Sequence, residues 1–404
     1  MSSKHKIPTD DGTNSSHPAK RTKGLSQPDK VAKDNVKSVE VWFDDGNIVV
    51  GVDTTTKGLD LRPVHPASEQ RHLFKVHKSV LGMHSPVWKD MFELPQPRHS
   101  NMDETTEDEY EGVPLMILPD TLKDVRDLLM LMYKPTQFNF NRLDSGTVSK
   151  VSGILKLSKK YQIDAFREHI AQMLRQDWPT DLAAWDQNDA YVKQRIMGMS
   201  NDEVFCAFAE PSSVINLAHE FGIKEILPAA FYHLSRVFWM FYDDECFSSP
   251  RRTSAELLFA KREPLSHMDL RNLIFGRDVL RTQIMRLFQR LKHNIELRET
   301  FEFVCFGSSG SRKWPCRKQY SEWWTGAHHL FFTIPEGECH PLRLYDPLDT
   351  LIELISGLNS WDARTTAEPT KPFCHSCREH VISVITKERQ TIWSNLGYWF
   401  SIAS

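Results

Sequence analysis

The stretch FKVHKSVLGMHSPVWKDMF (residues 74–92) constrains the fold most, because a strand pattern passes directly into a helical one. Phe74 and Val76 alternate as in a short strand, and the apolar residues after them recur every three or four positions, as on one face of a helix. Ser85 and Pro86 predict the start of a second helical segment, since proline is well accommodated in the first turn of a helix. The pattern predicts an α+β domain around this stretch.

The composition excludes several classes of protein. The chain has 404 residues, of which 40% are hydrophobic and 25% charged, and its formal net charge of -3 gives no general attraction to nucleic acid or anionic membrane. The most apolar long run, residues 229–242, is interrupted by His233 and Arg236, so no transmembrane segment is predicted. The N-terminal sequence has no apolar signal region, and we expect the protein in the cytoplasm, the nucleus or both.

Four segments are predicted along the chain. Residues 1–36 have almost no large apolar side chains, which is typical of a disordered tail, and this tail is basic. Residues 37–176 carry the strand and helix patterns, and residues 177–300 have mainly helical patterns. Residues 301–404 are rich in tryptophan and cysteine and show no regular pattern.

Several elements can be placed from local patterns. An apolar alternation before the turn DDGN, and an apolar run from Ile48 after it, predict a β-hairpin. VPLMILPD predicts a strand, and Thr121, three residues before Asp124, is expected to cap the amphipathic helix that follows. Residues 154–166 and 214–226 are similar at an offset of 60 residues, which predicts two similar helix-turn-helix units packed in sequence.

This order of elements resembles the BTB/POZ domain over about residues 37–176. The resemblance rests on the hairpin, on LFKVHKSVLGMHSPVWKDMFELPQP, on VPLMILPD with the helix ending in LMLMY, and on LSKKYQIDAFREHI. DGNIVV, SPVWKDMFELPQP and WPTDLAAWD are similar to a large group of fungal BTB-domain proteins. The resemblance implies a small sheet capped by helices, followed by a mainly helical region and an irregular, cysteine-bearing C-terminal region.

The resemblance also implies a non-enzymatic adaptor or scaffold that binds other proteins. Proteins of this family are commonly homodimers, and they often connect a recruited protein to a cullin-type ubiquitin ligase or to a transcriptional complex. At the family's dimer interface an acid of the first hairpin pairs with the basic residue after the motif histidine. These positions match Asp45 and Lys78 here, where the family more often has arginine at the second position.

The histidines of the opening stretch are expected to be structural. His77 lies in the family's folding motif, where a hydrogen-bonded histidine is expected, and His84 lies within the apolar pattern. Neither has a cysteine, aspartate or second histidine at a spacing that completes a metal site or a catalytic triad.

The strongest chemical signal is CHSCREH, in which Cys374 and Cys377 have the Cys-x-x-Cys spacing that suits a tetrahedral zinc ion. Cys305 and Cys316, which flank a Gly-Ser turn, are the second pair that we favour. The competing ligands are His380 and the pair Cys339 and His340. The hypothesis is a structural zinc ion in the C-terminal region, and unligated thiols in a packed domain are the alternative.

Two rival functions stay open. A nucleic-acid-associated transcriptional regulator would use the basic tail and the zinc site, but the net charge and the absence of a tandem Cys2His2 pattern disfavour it. An enzyme would use Cys374 and Cys377 as reactive thiols. We expect an interaction protein whose partners are a second copy of itself, a cullin scaffold and a recruited protein.

Overall fold

The computed structural model describes residues 34–55, 69–94, 109–138, 140, 142–199, 208, 210–236, 264–293, 316, 320–321, 323–325, 346–360 and 375–402. The strands in these ranges are β1 (Asp34–Trp42), β2 (Ile48–Thr55), β3 (Glu69–Val76), β4 (Glu109–Tyr110) and β5 (Val113–Leu118). The helices of the first half are α1 (Lys78–His84), α2 (Pro86–Glu93), α3 (Leu122–Tyr133), α4 (Thr147–Lys160), α5 (Asp164–Asp177) and α6 (Leu182–Ile196). Those of the second half are α7 (Pro211–Phe221), α8 (Leu227–Arg236), α9 (His267–His293), α10 (Pro347–Ser360) and α11 (His375–Trp399).

The five strands form one sheet in the order β1-β3-β2-β5-β4. The predicted β-hairpin is therefore wrong, because β3 lies between β1 and β2 and pairs parallel with the first and antiparallel with the second. The connection between β1 and β2 is hydrogen-bonded to β3: the Phe43 amide donates to the Lys75 carbonyl at 3.0 Å and the Asn47 amide to the Val76 carbonyl at 2.9 Å. The sequence thus predicted the turn between β1 and β2 correctly, but both strands pair with β3, which follows them in the chain.

The first strand also starts earlier than expected. β1 begins at Asp34, within the segment whose composition is typical of a disordered tail. Parallel pairing with β3, in which Asp34 lies opposite Gln70, provides partners for backbone groups that the local sequence would not order by itself. Residues 1–33 of the predicted tail lie outside the described residues.

The helix starts follow the sequence signals. Ser85 caps α2 by accepting a hydrogen bond from the Trp88 amide at 3.1 Å, and Pro86 occupies the first helical position, as predicted. Thr121 caps α3 by accepting from the Asp124 amide at 3.2 Å, which is also confirmed. The Ser85 hydroxyl additionally donates to the Tyr161 carbonyl at 2.7 Å, so the same residue that starts α2 attaches it to the end of α4.

One hydrophobic core extends from the sheet through the helices on both sides of residue 177. It includes Trp88 from α2, Ile154 from α4, Leu217 from α7 and Ile385 from α11. A Cβ on Gly153 would lie 1.9 Å from the Asp124 carboxylate, so α4 packs against α3 at a distance that only glycine permits. Within the described ranges, none of the helices has the length and apolar content needed to cross a membrane.

Candidate functional site

The predicted interface residue Asp45 lies in the connection between β1 and β2, beside the histidine of the opening stretch. Its carboxylate is 3.2 Å from His77 Nε2, and 86% of the Asp45 side chain is exposed. The Tyr133 hydroxyl accepts a hydrogen bond from the His77 amide at 2.9 Å, and the Phe43 and Tyr133 rings stack at 4.8 Å. His77 is thus hydrogen-bonded and packed, as a structural histidine would be, while Asp45 faces solvent.

The second predicted interface residue, Lys78, begins α1 immediately after this cluster. Its backbone amide donates to the Asn47 side chain at 2.8 Å, and its ammonium lies 5.8 Å from the centre of the Phe92 ring. Within one chain the Asp45 carboxylate contacts His77 and not Lys78. The pairing that the family resemblance implies joins two chains, so it stays a prediction.

An open groove lies between α1 and α2 on the surface of the domain. We call it the α1–α2 groove, and its lining includes Lys78, Gly82, Met83, Lys89, Phe92 and Glu93. Met83 is 72% exposed, and the Phe92 ring is half-buried beneath the Lys78 ammonium. An exposed apolar side chain between two lysines is a surface on which another polypeptide can bury apolar area and place acidic groups.

Strand β1 offers a second exposed feature of the same domain. It is an edge strand, paired on one side with β3, and Val39 in its middle is 99% exposed. The pairing with β3 is interrupted between Lys37 and Trp42. An edge strand with unpaired backbone groups can accept a strand from another chain.

The structure describes two of the four predicted zinc ligands. Cys377 lies in the first turn of α11, the backbone at Cys316 is helical, and both side chains are buried in the hydrophobic core. Cys305 and Cys374 lie outside the described residues, as do the competing ligands Cys339 and His340. His380 is half-buried on α11, and burial lowers its pKa. Among the described residues there is no group of three potential metal ligands, and the zinc site stays a prediction.

Sequence patterns did not indicate a buried ionic cluster that joins α6, α8 and the start of α10. Arg236, 4% exposed, donates at 2.8 Å to both Asp189 and Asp346. The Tyr232 hydroxyl donates to the other oxygen of Asp346 at 2.6 Å. The signal that could have indicated this cluster is Arg236 itself, because it is a charged residue that interrupts an apolar run in the sequence.

The charges of this cluster compensate one another. Although burial alone would raise the pKa of Asp189, the adjacent Arg236 and Lys193 hold it at about 2. Burial and the charge of Arg236 lower the pKa of His233 to about 3, so this imidazole is neutral. The paired ions and the neutral histidine connect α6, α8 and the start of α10 within the core.

The Asp177 carboxyl, at the end of α5, shares a small cavity with this cluster. The lining includes Asp177, Trp178, Asn188, Asp189, His233 and Arg236. Burial raises the pKa of the Asp177 carboxyl to about 6, despite the charge of Arg142. The cavity is therefore lined by both ionisable and aromatic side chains.

A further clamp attaches the C-terminal helix to the segment after α5. Both terminal nitrogens of Arg389 donate to the Asp186 carboxylate, at 3.1 and 2.6 Å, and its Nε donates to the Leu348 carbonyl at 3.1 Å. The Trp393 ring nitrogen donates to the Thr180 carbonyl at 3.0 Å. Helices α6, α10 and α11 are consequently connected by directional bonds as well as by the shared core.

The described residues thus form a small sheet with helices packed on it, a helical extension and an exposed groove between α1 and α2. Residues 66–177 match the family model of the BTB/POZ domain, and the chain carries a BTB/POZ domain. Such domains are typically protein-interaction modules, which supports a general adaptor role. The match starts just before β3, and the preceding strands β1 and β2 belong to the same sheet, β1 at its edge and β2 between β3 and β5. No curated protein matched the chain.

Proposed function

We propose that this protein is a non-enzymatic adaptor whose BTB/POZ domain joins two copies of the chain and whose helical part binds a recruited protein. The observation that carries the proposal is the α1–α2 groove, in which Met83 is exposed between Lys78 and Lys89. Burying one exposed methionine side chain in a partner interface contributes about 1.5–3 kcal/mol. The adjacent Asp45 and Lys78 of two chains would add the charge pairing that the family resemblance implies.

The finer proposal is that the recruited protein is brought to a cullin-type ubiquitin ligase. It is supported by the presence of a BTB/POZ domain, together with the continuous core that connects this domain to the helices after it. An adaptor must hold two partners at a defined separation, and a shared core does this better than a flexible linker.

The first experiment measures the molar mass of the intact chain by light scattering during size-exclusion chromatography. We expect a dimer for the native sequence, and a monomer or a strongly weakened dimer for Met83→Glu, because the new carboxylate would be buried in the interface. Met197→Glu is the matched control, since Met197 is 86% exposed and lies outside the groove. A native chain that is monomeric at all concentrations would contradict the dimer proposal.

The cullin proposal is tested by purification of the native chain and of the Met83→Glu and Met197→Glu variants from cell extract, followed by mass spectrometry. The full chain is needed, because α4 packs against α7 and removal of residues 37–176 would expose the shared core. Recovery of a cullin with the native chain and with Met197→Glu would support the proposal. Recovery of the chain with no cullin in either case would limit it to a dimeric scaffold.

The zinc hypothesis is a separate part of the proposal. It is supported by the burial of Cys316 and Cys377 in one core, where thiolates would be protected from solvent. We expect about one zinc ion per chain by elemental analysis, and its loss in Cys377→Ser, since structural zinc takes four ligands. A native chain that is fully folded and carries no zinc would rule the site out.

A further inference from the structure

Helix α9 exposes an apolar face that its own core does not use. In its first turns and again near its middle, five large apolar side chains are between 38% and 60% exposed: Met268, Leu270, Ile274, Phe275 and Met285. Single exposed apolar residues are normal on protein surfaces, but four within the first nine residues of one helix form a patch. We call this patch and the charged residues beside it the α9 face.

The opposite side of α9 is fixed in the core. Leu273, Leu280, Ile284 and Leu287 are buried, and a Cβ on Gly276 would lie 2.0 Å from the Phe400 ring. The contact at Gly276 leaves no room to rotate the helix about its axis. The exposed apolar residues therefore cannot turn into the core of the same molecule.

The α9 face is basic as well as apolar. Arg271, Arg286 and Lys292 are exposed and make no ion pair within the described parts of the chain. Asp278 is an acid on the same side of the helix, and Arg281 lies 3.9 Å from it. At 100° per residue these positions fall in one sector of the helix together with Ile274 and Phe275. A surface with this charge selects an acidic partner.

We infer that the α9 face binds an acidic, amphipathic helical segment of a second protein. Helix α9 has 27 residues and is about 40 Å long, which is sufficient for a partner helix of about 20 residues. Apolar side chains of the partner would contact Ile274 and Phe275, and its carboxylates would pair with Arg271, Arg286 and Lys292. This is the geometry of a helix that docks on an amphipathic surface through residues spaced three and four apart.

A protein partner fits the α9 face better than a lipid surface does. Helices that lie on membranes separate an apolar face from a polar one. On α9 the charged residues Arg271 and Asp278 lie in the same sector as Ile274 and Phe275, so charges and apolar groups alternate. Burial in a lipid interior would desolvate these charges, whereas a polypeptide can pair them.

The inference rests on the proposed adaptor function, because it assigns the recruited protein to a surface. The test begins with a phage-displayed library of random peptides of about 20 residues, selected on the intact chain and counter-selected on an Ile274→Asp/Phe275→Asp variant. We expect retained peptides to be acidic, with apolar residues at spacings of three and four. Both substituted residues are exposed, and an unchanged thermal midpoint shows that the variant remains folded.

Fluorescence anisotropy with the consensus peptide then locates its binding. We expect Ile274→Asp/Phe275→Asp to weaken binding about tenfold or more, as for central interface residues, and Arg286→Glu to weaken it in low salt. Met197→Asp and Lys156→Glu are matched controls outside α9, since both residues are exposed. Basic consensus peptides, or binding that the α9 variants leave unchanged, would overturn the inference.

A vesicle assay separates the lipid alternative. In this assay the intact chain is sedimented with phosphatidylserine vesicles. If the chain sediments with the vesicles, the α9 variants do not, and no acidic peptide binds, the α9 face is a membrane-binding surface and the inference is overturned. The outcome is distinguishable from failure of the dimer proposal, because light scattering on the same samples reports oligomeric state. A monomer that binds the acidic peptide through α9 would support this inference and contradict the dimer.

Discussion

Two helical hairpins, α4–α5 and α7–α8, have the same turn in different surroundings. In the first hairpin the Ile163 amide donates to the Ser158 carbonyl at 2.8 Å, and in the second the Ile223 amide donates to the Ala218 carbonyl at 2.9 Å. The residue before each isoleucine has a positive φ, 55° at Gln162 and 73° at Gly222. The similarity in sequence thus corresponds to the same local geometry.

The contacts of the two hairpins differ. The Tyr161 hydroxyl of the first donates to Asp120 at 2.7 Å and its carbonyl accepts from Ser85, so this hairpin is attached to the BTB/POZ domain. The second hairpin carries Tyr232 and Arg236, which bind Asp346 at the start of α10. The comparison shows that one local unit can connect either to the interaction domain or to the C-terminal helices, depending on a few polar residues.

The largest expected effect comes from a substitution that removes the ion pair between the second hairpin and the start of α10. Arg236→Ala leaves Asp346 buried without its cation and Asp189 with Lys193 alone, which should lower the free energy of unfolding by about 3–5 kcal/mol. Arg175→Ala at the end of the first hairpin is the control, because its pairs with Glu168 and Glu225 are partly exposed and contribute about 0–1 kcal/mol. Urea denaturation followed by circular dichroism measures both. Equal losses would show that the two hairpins are attached alike.

The next effect concerns Asp177, which ends the first hairpin beside the same cavity as Arg236. Its pKa is raised from 3.8 to about 6 by burial, so its contribution to stability is present below about pH 4 and is lost as the pH rises through about 6. Asp177→Asn should therefore stabilise the protein at pH 7.5 by about 2–3 kcal/mol and have little effect at pH 4. Thermal unfolding at the two pH values measures this. A gain of the same size at both values would contradict the assignment.

A smaller effect tests the turn that the hairpins share. Gly222→Gln should lower the free energy of unfolding by about 1 kcal/mol, because a residue with a side chain disfavours the left-handed backbone at this position. A Cβ there would meet no atom within 4 Å, so no steric clash adds to this cost. Gln162→Gly should be neutral or stabilising by up to about 1 kcal/mol, because the strain is relieved while the unfolded chain gains freedom. The denaturation midpoint should fall for Gly222→Gln and stay the same or rise for Gln162→Gly, and a fall in both would mean that the turns are not equivalent.

The smallest expected effect comes from a substitution that gives the first hairpin the same residue as the second just before the turn. Ser158 is fully buried and its hydroxyl has no hydrogen-bond partner among the described residues, whereas the second hairpin has Ala218 at this position. Ser158→Ala should stabilise the protein by about 0.5–1 kcal/mol, because an unpaired hydroxyl is removed from the core. Chemical denaturation checks this, with exposed Ser79→Ala as the control. A loss of stability would indicate a bound water or another partner for the hydroxyl.

Much of the fold followed from the sequence, since many of its determinants are local. The caps at Ser85 and Thr121 and the shared turn at residues 162 and 222 each depend on a few neighbouring side chains. The BTB/POZ resemblance, carried by residues in sequence order, was confirmed over residues 66–177. The pairing of Asp45 with Lys78 stays a prediction, since it joins two chains. The set of four zinc ligands also stays a prediction, because Cys305 and Cys374 lie outside the described residues.

Long-range contacts were decided by the tertiary structure. An alternating apolar pattern predicts a strand but does not say which strand it pairs with. Hydrogen bonding between strands does not depend on their separation in the sequence, and in the folded chain β1 pairs with β3 and not with β2. Arg236 finds Asp189 and Asp346 across 47 and 110 positions, and no local spacing connects them. The sequence alone determined where helices start and turn. Only packing decided which buried charges meet, because a charge enters the core only where the fold brings a counterion to it.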